Sequence, residues 1–125
     1  MPDVVRAFPL VLPPNGSVNS VFFVNCPLED SNVVKILLVF PPGCSGLVGV
    51  RVEHGGTQIF PLDPGTWFIF DDYTIELDPS EPNTSGQWHV AGYNLDTNQH
   101  TISSYFFYNR IDRSQGSTSS SLVSL

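Results

Sequence analysis

Three histidines, His54, His89 and His100, together with Glu53, Asp71 and Asp72, are the residues here whose types suit a metal ion. A cupin-type centre needs two histidines one residue apart, a glutamate shortly after and a third histidine on a distant strand, so that the ligands converge inside a barrel. Glu53-His54-Gly55-Gly56 supplies one histidine at the brink of a turn, and His89 lies between Trp88 and Val90 with no ligand at short spacing. The spacing therefore predicts surface or hydrogen-bonded histidines, with a small cupin-like metalloprotein on His54, His89 and His100 as a lesser alternative. No cofactor and no metal are expected. Calcium would need Asp71, Asp72 and Asp96 brought to one point by their loops.

Nucleophilic catalysis has no better footing. The chain has no GxSxG elbow. Cys44, in Pro-Pro-Gly-Cys-Ser-Gly, has no sequence neighbour that would stabilise a thiolate. Asp71-Asp72 and Glu76 are paired carboxylates of the kind glycoside hydrolysis uses, but adjacent acids at a turn are ordinarily solvated. The expectation is a protein that is not an enzyme. Trp67, Trp88, Tyr73 and Tyr93 could form an aromatic platform for sugar rings, which makes a carbohydrate-binding module reading host glycans the principal alternative. Each of the four sits beside apolar partners, so at least one tryptophan is expected in the core.

The elements that must position these groups read as strands almost throughout. Val4 to Leu12, Ser17 to Asn25, Val33 to Phe40, Leu47 to His54, Thr57 to Phe60, Thr66 to Phe70, Tyr73 to Leu77, Gln87 to Leu95 and Gln99 to Ile111 are extended runs separated by Pro, Gly and Asp clusters. Val33 to Phe40 is nearly all apolar, the pattern of a strand with both faces covered. Leu47 to His54 alternates, with Val48, Val50 and Val52 on one face. Gly55-Gly56 predicts a tight hairpin, and Asp96-Thr97-Asn98 a second one. Asp78 to Gly86 is the longest polar loop.

Eight or nine short strands without helical crossovers predict an all-β fold, an antiparallel β-sandwich of jelly-roll type with extended N- and C-terminal arms. Residues 1–111 make one domain, of which 1–12 is readable as an arm, and 112–125 form a Ser-rich tail. The chain has 125 residues, a size that suits one core.

Charge narrows the partners. A net charge of −7, with Lys35 the only lysine, argues against direct nucleic-acid binding. No apolar run reaches the roughly 18 residues of a spanning helix, so no membrane partner is expected. The start, Met-Pro-Asp-Val-Val-Arg, does not look like a secretory signal, which predicts synthesis in a host cytoplasm. There, Cys26 and Cys44, which lack CxxC spacing, are expected as free buried thiols.

The middle of the chain carries a phrase order of its own. Phe40-Pro41-Pro42-Gly43-Cys44-Ser45-Gly46-Leu47-Val48-Gly49-Val50 leads into Arg51-Val52-Glu53-His54-Gly55-Gly56-Thr57-Gln58-Ile59-Phe60-Pro61, then Asp71-Asp72-Tyr73-Thr74-Ile75. Trp88, Gly92-Tyr93-Asn94-Leu95-Asp96 and His100-Thr101-Ile102 follow. Over about residues 36–107 this resembles the small β-sandwich accessory proteins of tailed-phage virions, those that cement or decorate capsids. The resemblance implies a non-enzymatic virion protein that stabilises contacts between capsid subunits, with capsid or other virion structural proteins as partners. It also implies a homo-oligomer, a trimer being favoured, and transfers no functional residue. Phe8 and Leu10 in the N-terminal arm, and Leu122, Val123 and Leu125 in the tail, are the expected intersubunit anchors.

Overall fold

The computed structural model describes residues 4–29, 31–79 and 87–111. These residues form eight strands and no helix: β1 (Val4–Leu12), β2 (Phe22–Cys26), β3 (Ser31–Phe40), β4 (Val48–His54), β5 (Thr57–Phe60), β6 (Tyr73–Leu77), β7 (Trp88–Asn94) and β8 (His100–Arg110). They make two four-stranded antiparallel sheets, sheet A in the order β1-β8-β3-β6 and sheet B in the order β2-β7-β4-β5. First pairs with last, second with seventh, third with sixth and fourth with fifth. That nesting is a long hairpin rolled into two layers, the jelly roll that the strand count predicts.

The rolling follows from where the chain can turn tightly. Gly55 and Gly56, at φ 61° and 83°, supply the two left-handed residues of a short hairpin turn, so β5 folds straight back on β4. Asp96-Thr97-Asn98 does not make the second hairpin that the sequence suggests. β7 lies in sheet B and β8 in sheet A, so this connection is a corner between layers. The buried Asn94 side chain holds it, donating to the carbonyls of Leu12 (3.1 Å) and Asn98 (2.8 Å) and accepting from the Asp96 amide (2.9 Å). Nor is Thr66 to Phe70 a strand. It meets β4 only through the reciprocal backbone bonds of Val50 and Phe68 (3.0 and 2.8 Å).

Between the layers lies one core. Leu12, Ile36, Leu38, Phe40, Val48, Val50, Val52, Trp88, Val90, Ile102, Phe106 and Tyr108 are all fully buried. Strand alternation puts these residues inward and their neighbours outward. In β3 a bulge at Val34 breaks the alternation, because Val33 pairs with Tyr108 and Lys35 with Phe107, leaving Val34 extra. The segment that looks like an arm, Val4 to Leu12, is an edge strand paired with β8 along its whole length. Pro9, which has no amide hydrogen, suits that edge position.

Candidate functional site

The reactive groups do not gather. His100, at the end of the sandwich where β8 begins, bonds to Asp96 through Nε2 at 2.7 Å. His89 lies outward on β7 and bonds to Asn25 at 2.7 Å, while His54 packs on the Trp88 ring at 4.6 Å, both at the opposite end. Among the described residues no three His, Cys, Asp or Glu side chains form a metal-ligand set. Asp71, Asp72 and Asp96 do not converge either. Asp71 instead accepts the amides of Gly43 and Cys44 (2.9 and 2.8 Å), tying two loops together. Its hydrogen bond to His100 holds the Asp96 carboxyl below the ordinary carboxylate range.

Both cysteines are buried and unbonded. Burial pushes the Cys26 thiol up to about 12 and raises Cys44 as well, with Asp71 and Asp96 adding to the rise. A thiol raised by burial is a poor nucleophile at neutral pH.

The four residues of the expected aromatic platform are split apart. Trp88 is 1% exposed, set against Phe106 and His54 in the core, so its ring is no part of an exposed aromatic platform. Its place on β7 opposite Cys26 and His54 is an inward one. Tyr73 is exposed but lies at the edge of sheet A against Phe70. Trp67 and Tyr93 do come together, edge to face at 4.9 Å on the outer side of sheet B. Their meeting depends on Gly49, since a Cβ there would stand 2.3 Å from the Tyr93 ring. Arg51 lies over Trp67 at 4.4 Å and bonds to Glu53 at 2.7 Å, so this pair is already in contact with neighbouring side chains.

Two of the expected intersubunit anchors are also displaced. Leu10 is 2% exposed in the chain's own core, and Phe8 packs edge to face on Phe106 at 5.7 Å. The outward residues of β1 are the odd-numbered ones, Val5, Ala7, Pro9 and Val11. A shift of one residue exchanges the faces of a strand. Leu122, Val123 and Leu125 lie outside the described residues.

Sequence reasoning missed the outer face of sheet A. In register across it run Val5, Phe107 and Lys35, then Ala7, Tyr105, Leu37 and Glu76, then Pro9, Ser103, Val39 and Thr74. All are half-buried or exposed. Val34 adds to it through the bulge, and Lys35 lies 4.4 Å over the Phe107 ring. The signal was present in Val33 to Phe40, apolar except for Lys35, which predicts cover on both faces. Among the described residues the chain covers only one of them. Among the described residues the charges on this face are Lys35 and Glu76, whereas Arg6 and Arg110 fall at positions of β1 and β8 that alternate with the outward ones. By contrast, the loops at the His100 end combine Asp71, Asp72 and Asp96 with exposed Ile69 and Leu95.

The class of protein defined here is an all-β jelly roll whose sheet A has a largely apolar outer face. No family model and no curated protein matches the chain.

Proposed function

We infer that this protein is a non-enzymatic structural component of a phage-type virion, a cement or decoration protein that stabilises contacts between capsid subunits. A jelly roll by itself serves capsid proteins, lectins and cupins alike, so the fold does not choose among them. The observation that carries the reading is the outer face of sheet A. An apolar strand interior left half open on one side, in a protein with so few charges, needs a partner to cover it.

The occupant is a second copy of this chain. Packing this face on the acidic, apolar loop end of the next copy sets Lys35 against Asp71, Asp72 or Asp96. Such heterologous contacts close into rings when the rotation allows. A trimer made in this way has the symmetry of a capsid three-fold position, where it would hold neighbouring capsid subunits together.

Leu37→Glu tests the interface, since it puts a carboxylate at the centre of the face without touching the core. By sedimentation equilibrium the unmodified protein is expected as a trimer, and the variant as a monomer with an unchanged circular dichroism spectrum. A wild-type protein that stays monomeric at every concentration, or a variant that assembles equally well, removes the reading.

A further inference from the structure

The opposite side of the sandwich has a different character. On the outer face of sheet B, Phe23 and Asn25 of β2 stand beside Ala91 and His89 of β7. Phe23 is 66% exposed, the most open aromatic ring among the described residues, and meets the His89 ring edge to face at 6.2 Å. Next to it a shallow depression of about 240 Å³ opens, lined by Asn25, Pro27, Gln87, Trp88 and His89. Drug-sized ligands occupy pockets of about 300–1,000 Å³, so this one suits a single small ring.

Its chemistry is uncharged. Two carboxamides and an imidazole offer donors and acceptors together, and neither a carboxylate nor a cation is among the described lining residues. Asn25 and His89 are already joined at Nδ1 by a 2.7 Å bond, which fixes both side chains before any ligand arrives. With Asn25 Oδ1 accepting from Nδ1–H, the His89 Nε2 is left as an acceptor and the Asn25 amide nitrogen as a donor. An exposed aromatic ring beside fixed neutral hydrogen-bonding groups matches a molecule with one C–H face and a rim of hydroxyls.

The geometry points to a binding site for a neutral sugar ring at Phe23, Asn25, Gln87 and His89. The pyranose C–H face lies on Phe23, and its hydroxyls bond to Asn25, Gln87 and His89 Nε2. An acidic sugar is disfavoured, because the protein as a whole carries −7 and the depression offers no cation to pair with a carboxylate. This site does not depend on the assembly reading, since it uses the other sheet. It also differs from a platform built on Trp67 and Tyr93, whose rings are occupied by each other and by Arg51.

Saturation-transfer difference NMR tests the site, because it observes the ligand and works on assemblies of any size. The probes are the methyl glycosides of glucose, galactose and mannose, N-acetylglucosamine, and sialic acid as the charged comparison. At least one neutral sugar is expected to receive saturation, strongest on its ring C–H protons, with millimolar affinity. Phe23→Ala and Asn25→Ala, both at exposed positions that leave the core intact, should each weaken that affinity about tenfold or more, a readily measured change in Kd. Trp67→Ala should leave it unchanged. The site is overturned by an absence of transfer to all four neutral sugars, by transfer that survives both substitutions, or by sialic acid binding as well as they do.

Discussion

Trp88→Ala is expected to destabilise the domain by about 3–5 kcal/mol, the range for an aromatic side chain removed from a packed interior. A domain of this kind has only about 5–15 kcal/mol in total, so the variant should unfold at a much lower urea concentration or fail to fold at 37 °C. The size follows from position. Trp88 is the largest of the fully buried side chains and bridges the two sheets, touching Phe106 of sheet A at 5.6 Å and His54 of sheet B at 4.6 Å. Deleting it leaves a hole bounded by two sheets that cannot collapse without losing the register of both. Trp88→Phe should cost less, since the indole N–H it removes has no hydrogen-bond partner among the described residues. Urea titration followed by far-ultraviolet circular dichroism measures both; an alanine variant within about 1 kcal/mol of the parent would contradict the buried placement.

Asn94→Ala is the second large effect and acts on topology rather than on volume. Asn94 is one of the few buried polar residues among those described, and its side chain joins β1, β7 and the turn into β8. Alanine there strands the Leu12 and Asn98 carbonyls and the Asp96 amide. The Leu12 carbonyl is buried, and such a group left without a partner costs about 1–3 kcal/mol, whereas the part-buried Asn98 carbonyl and Asp96 amide cost less because water reaches them. The corner also holds the hydrogen bond between Asp96 and His100, and the backbone of Asn94 and Asp96 accepts the amides of Gly16 and Asn15. Amide hydrogen exchange should therefore accelerate in residues 13–20 and 95–100 well beyond the global change, whereas Trp88→Ala raises exchange evenly throughout the core. Uniform acceleration in the Asn94 variant would mean that the corner is not the local hinge of the fold.

The strands were legible because apolar alternation and Pro or Gly punctuation agree along most of the chain. Thr57–Phe60 and Tyr73–Leu77 fall where the pattern puts them. What the sequence concealed was which strands share a sheet. Asp96-Thr97-Asn98 has hairpin residues, but the same residues turn a corner when the flanking strands find longer-range partners, β7 with β2 and β4, β8 with β1 and β3. Pairing of that kind depends on contacts far apart in sequence, to which a local window is blind. Face assignment failed for a related reason. Phe8 and Leu10 are large and apolar and so look like anchors, but in an edge strand with one core-facing side the large residues go inward, and the smaller Val5 and Val11 remain outside.

The two outer faces were legible to different degrees. Sheet A left a trace in the run Ile36-Leu37-Leu38-Val39-Phe40, which after Lys35 has no polar residue to turn toward water on its second face. Sheet B did not, because Phe23 and Asn25 meet His89 only through the β2–β7 register, 64 residues apart for Asn25 and His89. The aromatic residues that drew notice by type, Trp67 and Trp88, are satisfied by packing. The ring left over is a phenylalanine in a short strand, which composition gives no reason to single out.

The covered outer face of sheet A can be tested with a reporter already in the sequence, since Lys35 is the chain's only lysine and lies in that face over Phe107. Acylation of its ε-amine should be measured by mass spectrometry across a dilution series of the native protein. Assembly predicts a slow rate at high concentration that rises on dilution to the rate found in Leu37→Glu. A rate that is the same at every concentration, and the same in the variant, would show that nothing covers the face and would contradict the account at its centre.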